Sequence, residues 1–193
     1  MSGPSDCPLV LASASPRRAE LLTSAGFTFT IEAADVDETE HERETPEAYV
    51  LRVARDKART IAERHRDRDI VVLAADTTVV VGGRILAKPV DEADATRMLE
   101  LLSGAAHDVW TGVVVLRRAR ELSETVLTRV HLRELMPAEI AWYVGSGEPM
   151  GKAGAYGIQG RAARFIERIE GSWSNVVGLP VATVDRLLKQ LGA

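Results

Sequence analysis

The chain alternates between short apolar runs and amphipathic stretches, punctuated by glycine and proline. Residues 8–13, PLVLAS, form an unbroken apolar run that predicts a buried strand. Residues 16–25 continue at helical spacing, with Pro16 suited to the first helical position, Ser15 to the N-cap, and Gly26 as the stop. Residues 28–38, TFTIEAADVDE, predict a strand running into an acidic loop. Residues 45–65 predict a long helix with Thr45 as cap and Pro46 in its first turn. Residues 69–89 are apolar and β-branched, which predicts a buried strand and a hairpin turning at Gly82–Gly83. Beyond them come a helix at 91–104 between Asp91 and Gly104, a strand pair at 107–116 and 124–132, and a short helix at 137–147 starting at Pro137. A glycine-rich loop, a strand at 163–169, a loop through Gly178–Pro180 and a last helix to about residue 191 complete the pattern. Intermixed strands and helices predict an α/β or mixed α+β fold with a mixed sheet.

Composition narrows this picture. The 193 residues are 46% hydrophobic, enough for one compact domain over 1–193, and no linker divides them. A formal net charge of -4 and an aromatic content of 5% argue against a nucleic-acid binder, which needs a basic surface or a stacking platform. Cys7 is the single cysteine, so no intrachain disulfide forms, and a reducing, cytoplasmic setting fits. Residues 1–10 lack a charged segment followed by a long apolar one, so no leader is expected, and no apolar run is long enough to span a membrane.

Three places break their local rules, and such breaks mark function where structure supplies no reason for them. The first is SPRR at 15–18. A helix N-terminus favours anions, yet Arg17 and Arg18 stand there. Either they are solvated or paired with Glu20 or an acidic loop, or they join Ser13, Ser15 and the helix amides around a phosphate. The second is Lys57, which falls on the apolar stripe Val50, Val53, Ala54, Ala58, Ile61. It either snorkels outwards or meets an inward partner. The third is Asp76 inside VVLAADTTVVV, a carboxylate that must be a turn cap, a metal ligand or one half of a pair. Glu38, closing DVDE, is a candidate second acidic ligand, and Lys88 adds a cation after the hairpin. Four cations with one or two carboxylates make the inventory of a metal–polyphosphate site, where Mg²⁺ is held by few carboxylates and by the phosphates themselves.

Other motifs fail on their spacing. GSGEPMGKAG at 145–154 has neither Walker spacing nor a Ser/Thr after Lys152, the four histidines show no zinc pattern, and no G-x-S-x-G elbow is present.

Six segments, in order, resemble the Maf family of nucleoside triphosphate pyrophosphatases: SASPRRAELL (13–22), PEAYVLRVARDKA (46–58), AADTTVVVGGRILAKP (74–89), MLELLSGAAHDVWTGV (98–113), GEPMGKAGAYGIQG (147–160) and GSWSNVVGLP (171–180). The resemblance implies a two-lobed, inosine-triphosphatase-like α/β fold with a mixed central sheet and a substrate cleft between lobes. It implies a cytoplasmic homodimer that uses a divalent cation, Mg²⁺ or Mn²⁺, to hydrolyse nucleoside triphosphates to monophosphate and pyrophosphate. On this resemblance Asp76 is the proton acceptor and a metal ligand with Glu38, Lys57 and Lys88 are catalytic cations, and Ser13, Ser15, Arg17, Arg18, Thr77 and Gln159 bind substrate. Arg17, Thr77 and Gln159 match the branch similar to dTTP/UTP pyrophosphatases, possible modified pyrimidines included. The branch acting on 7-methyl-GTP carries Trp, Gln and Glu there and is the alternative in the same class. An amide at 159 suits the O4/N3 edge of uracil or thymine. Gly151 departs from the family, which often has Asp before this lysine, leaving the geometry of that loop open. A non-catalytic, nucleotide-sensing regulator of septum formation is the alternative of another class.

Overall fold

A computed structural model describes residues 7–192. The residues before Cys7, part of the stretch read as no leader, and Ala193 lie outside the described residues. In chain order the elements are β1 (Leu9–Leu11), α1 (Pro16–Ser24), β2 (Thr30–Ile31), α2 (Pro46–Arg64), β3 (Val71–Val81), β4 (Arg84–Leu86), α3 (Glu92–Leu102), β5 (Ala106–Arg117), β6 (Arg120–Leu132), α4 (Pro137–Val144), β7 (Ile166–Glu170), α5 (Trp173–Val177) and α6 (Val181–Leu191). The strands pair in the order β2-β1-β3-β5-β6-β7, with β4 added to β3. The β1–β2 and β1–β3 pairs are parallel, whereas β3–β4 and β6–β7 are antiparallel. This is the mixed α/β sheet that the sequence predicts.

The chain forms two compact units. The first takes in the chain up to Asp76, Thr111–Val126 and everything from Gly178. Its core gathers Val10 and Ala12, Val72 and Ala74, Val114 and Leu116 with Ala54, Ala58 and Ile61 of α2. Contact here is so close that a Cβ at Gly112 would lie 2.5 Å from the Val50 carbonyl oxygen, so β5 can pass α2 only with glycine at this point. The second unit comprises Thr77–Trp110 and Leu127–Val177. Its core is built on Leu99, Leu102, Tyr143 and Phe165, with the Tyr143 and Phe165 rings edge to face at 5.4 Å.

The helix starts follow their sequence signals. Thr45 Oγ1 accepts from the Ala48 amide at 3.2 Å, and Asp91 Oδ1 from the Asp94 amide at 2.8 Å. Gly82 and Gly83 both adopt positive φ, 55° and 77°, as a two-residue hairpin requires. Several boundaries differ from the pattern, and the helix expected over 137–147 ends at Val144. The strand expected to open 28–38 before its acidic loop is only Thr30–Ile31, an exposed edge pair, because the acidic residues beyond it have no face to bury. β6 starts at Arg120, several residues before 124, since its early positions lie half-exposed and tolerate polar side chains. A tight 3-10 turn at Arg161–Phe165 displaces the start of β7 to Ile166.

Candidate functional site

The first unit gathers most of the charged residues singled out in the sequence. Ser13, two residues beyond β1, is buried, and its Oγ accepts from the Ser15 amide at 3.2 Å and from Arg18 Nη1 at 3.1 Å. Arg18 Nε also donates to the Gly178 carbonyl at 2.8 Å. Arg18 is therefore an inward strut that ties the β1–α1 turn to the loop before α6. Burial pulls its guanidinium below the ordinary value, the Asp76 charge opposes that, and Arg17 adds to it. Arg17 itself stays half-exposed at the helix start. Ser15 occupies the N-cap of α1, but its side chain makes no capping bond and the first turn carries no acidic residue.

Lys57 settles its two readings in favour of an inward partner. It lies on the buried face of α2, 8% exposed, and its Nζ donates to Asp76 Oδ1 at 2.7 Å. The same ammonium pairs with Glu38 Oε1 at 2.6 Å. Asp76 is 7% exposed, in a strand otherwise filled by Val, Leu and Ala. Two carboxylates from distant parts of the chain thus converge on one cation. Pairing of this kind offsets the cost of taking an ammonium and a carboxylate out of water.

Two residues that present Glu38 went unnoticed in the sequence. Tyr49 Oη donates to the Glu38 carbonyl at 3.0 Å, and burial with the Asp76 and Glu38 charges pushes its phenol up to about 12. Arg52 grips both Glu44 carboxylate oxygens at 2.7 and 2.8 Å and donates to the Thr39 carbonyl at 2.9 Å. These bonds hold the Glu44 carboxyl at about 2. Tyr49, Val53 and Lys57 are four residues apart, so the stripe that reveals Lys57 also passes through Tyr49.

Thr77, Lys88 and Gln159 belong to the second unit. Thr77 follows Asp76 in β3 and is half-buried, while Lys88 is exposed just after β4. The Gly154 amide donates to the Ala87 carbonyl at 3.2 Å, fixing the segment beside Lys88 to the glycine-rich loop. Gly154 has φ +68° and sits against Val79, where a Cβ would lie 2.9 Å from Cγ1. Gly151 has φ +72°, a conformation that glycine adopts more readily than a residue with a Cβ. Gln159 is exposed at a turn between Gly157 and Gly160.

Among the described residues no group of three or more His, Cys, Asp or Glu could hold a metal ion. Glu38 and Asp76 supply two oxygen donors, which matches a hard cation such as Mg²⁺ that takes its other ligands from phosphates and water. The donor set fits a divalent cation delivered with an anionic substrate.

A family model described as Maf-like protein matches residues 8–191. The dTTP/UTP pyrophosphatase of Myxococcus xanthus is 52% identical over 184 residues, covering 95% of this chain and 92% of that protein. The dTTP/UTP pyrophosphatase of Geobacter sulfurreducens is 51% identical over 187 residues, covering 96% and 97%. A solved nucleoside-triphosphatase / dITP/XTP pyrophosphatase from Mycobacterium abscessus aligns at 14% identity and a TM-score of 0.37 over 65% of this chain and 72% of its own. The residues that converge in the first unit lie in segments covered by the family match, and the chain belongs to the Maf-like protein family.

Proposed function

We propose that this chain is a nucleoside triphosphate pyrophosphatase that hydrolyses dTTP and UTP, and modified pyrimidine triphosphates of the same shape, to the monophosphate and pyrophosphate. The observation that carries the reading is the buried Lys57 ammonium held between Asp76 and Glu38, in a chain about half identical to named dTTP/UTP pyrophosphatases. Water attacks the α-phosphorus, the new P–O bond forms, and the bond to the bridging oxygen breaks to release pyrophosphate. Asp76 accepts the proton of that water, and Lys57 holds its carboxylate in place. Arg17 and Lys88 neutralise charge on the phosphates, while the Ser15 hydroxyl and the uncapped amides of α1 donate to their oxygens. Ser13 and Arg18 hold that turn in shape from within. A divalent cation on Glu38 and Asp76, Mg²⁺ or Mn²⁺, would polarise the phosphoryl oxygens when bound. Arg17, Thr77 and Gln159 select the base.

On this reading the whole chain acts as one catalytic domain. It is a cytoplasmic homodimer whose substrate is a free nucleotide, with neither nucleic acid nor membrane as partner. No helix among the described residues is long and apolar enough to cross a membrane. The test is pyrophosphate release from a panel of dTTP, UTP, dCTP, CTP and 7-methyl-GTP with Mg²⁺ or Mn²⁺. Turnover confined to dTTP and UTP is expected. Preference for 7-methyl-GTP moves the chain to the other branch, and nucleotide binding without turnover makes it a sensor.

A further inference from the structure

The loop that carries Gln159 is tied down by a single carboxylate. The Gly160 amide donates to the Gly157 carbonyl at 3.2 Å, closing a four-residue turn with Ile158 and Gln159 at its corners. At one end of this turn the Gly157 amide donates to Tyr143 Oη at 3.3 Å, and Tyr143 Oη in turn donates to Glu148 Oε1 at 3.0 Å. At the other end the Arg161 amide donates to Glu148 Oε2 at 3.0 Å. Both oxygens of one side chain therefore hold the two ends of one turn. The glycines fit this arrangement: a Cβ at Gly160 would lie 2.2 Å from Glu148 Oε1, and one at Gly157 would lie 2.9 Å from Cε of Lys152. Lys152 folds back so that its ammonium donates to the Glu148 carbonyl oxygen. Tyr143 is fully buried in the core of its unit, so the hydroxyl that relays the bond has a fixed position.

We propose that Glu148 is a positioning residue for base selection, holding the 157–160 turn so that the exposed Gln159 amide meets the pyrimidine edge in one orientation. This rests on the pyrophosphatase reading above, in which Gln159 reads the base. An amide reads an O4/N3–H edge through one donor and one acceptor, and a turn free to rock lets the same amide meet the N4/N3 edge of cytosine instead. Glu148 thus acts on discrimination and takes no part in the chemistry on the phosphates.

The test compares kcat/KM for dTTP and dCTP in the wild type, Glu148→Ala, Glu148→Gln, Gln159→Ala and the Glu148→Ala/Gln159→Ala double variant, with thermal melts to establish folding. Glu148→Ala is expected to lower the dTTP-over-dCTP ratio about tenfold, mainly through KM for dTTP, with kcat nearly kept. Glu148→Gln keeps an acceptor for Tyr143 but sets an amide N–H against the Arg161 N–H, so its ratio should fall about threefold, and it serves if the alanine variant does not fold. Gln159→Ala should lose the discrimination by itself, and adding Glu148→Ala should change it no further. An unchanged ratio in a folded Glu148 variant, an equal fall for both nucleotides, or a further loss in the double variant overturns the role of Glu148 while leaving the pyrophosphatase reading intact. A wild type that releases no pyrophosphate from dTTP or UTP overturns that reading, and the role of Glu148 falls with it.

Discussion

The two units bury different kinds of polar group. Among the described residues, the buried polar side chains of the first are Ser13, Arg18, Lys57, Asp76 and Thr111, three of them charged. Those of the second are Thr78, His107, Thr128 and Asn175, none a permanent charge. Asn175 Nδ2 donates to the Val109 carbonyl and to Thr128 Oγ1, both at 3.0 Å, which fastens α5 to its strands. His107 Nε2 lies 2.7 Å from Tyr156 Oη, its Nδ1 has no hydrogen-bond partner, and burial lowers its pKa to about 4, so it is neutral near pH 7. Buried neutral groups serve packing at small cost once hydrogen-bonded, whereas buried charges cost several kcal/mol each before pairing. Arg18 spans the turn as a strut, and Lys57 and Asp76 are the pair to which the proposed function gives the chemistry.

The sharpest way to break this contrast is Asp76→Asn. It removes the proposed proton acceptor while preserving shape, and pyrophosphate release from dTTP should fall about 10³-fold with the fold retained by circular dichroism. Near-wild-type turnover would make the charged cluster structural, like the polar groups of the second unit. Lys57→Met probes the same cluster through stability. It leaves Asp76 buried without its cation and should cost about 3 kcal/mol in urea unfolding, much of it recovered in Lys57→Met/Asp76→Asn. A double variant as unstable as the sum of the singles would show that Lys57 and Asp76 are not coupled.

These two residues were legible because each violates a strong local rule: a lysine on an apolar helical stripe, a carboxylate in a β-branched run. Helix starts were legible for the same local reason, since Pro46 and Thr45, or Asp91, act within one turn. Glu38 is different. Its sequence neighbours mark only an acidic loop, and its place opposite Lys57 is set by Tyr49 and Arg52, whose contacts close over 11 and 13 residues of chain. α5 has no signal in the sequence because five residues, WSNVV, are too few to show a period, and its anchor Asn175 bonds strands 47 and 66 residues away. Glu148 and Gly160 form a pair that no periodicity reports, because their packing depends on how an irregular loop folds back on itself.

His107 gives the second unit its own signature, in pH. The buried ring binds a proton less readily than the unfolded chain, whose histidine titrates near 6.5, and its folded pKa is about 4. Stability from this group is therefore complete above about pH 6.5 and declines as pH falls towards 4, by about 3 kcal/mol in all. Urea midpoints at pH 7 and pH 4.5 should show this decline in the wild type. In His107→Phe it should be much smaller, although that variant loses the Tyr156 contact and starts lower. An equal decline in both proteins would place the acid sensitivity elsewhere.

The smallest effects distinguish two helix starts within the first unit, and so test whether the contrast lies in burial and ligand chemistry or merely in which unit a residue occupies. α1 and α2 both open with a hydroxyl residue followed by proline. Thr45 spends its hydroxyl on the Ala48 amide and has Glu47 in the first turn of its helix, so α2 is satisfied by its own residues. Ser15 makes no such bond, and the first turn of α1 carries two arginines and no acid. Thr45→Ala should cost about 1 kcal/mol in unfolding and leave turnover unchanged. Ser15→Ala should leave stability within about 0.5 kcal/mol and raise KM for dTTP, because on the proposed function the hydroxyl it removes supports a ligand instead of the helix. If Ser15→Ala behaved like Thr45→Ala, the start of α1 would be an ordinary helix cap and the phosphate-binding role of that turn would fall.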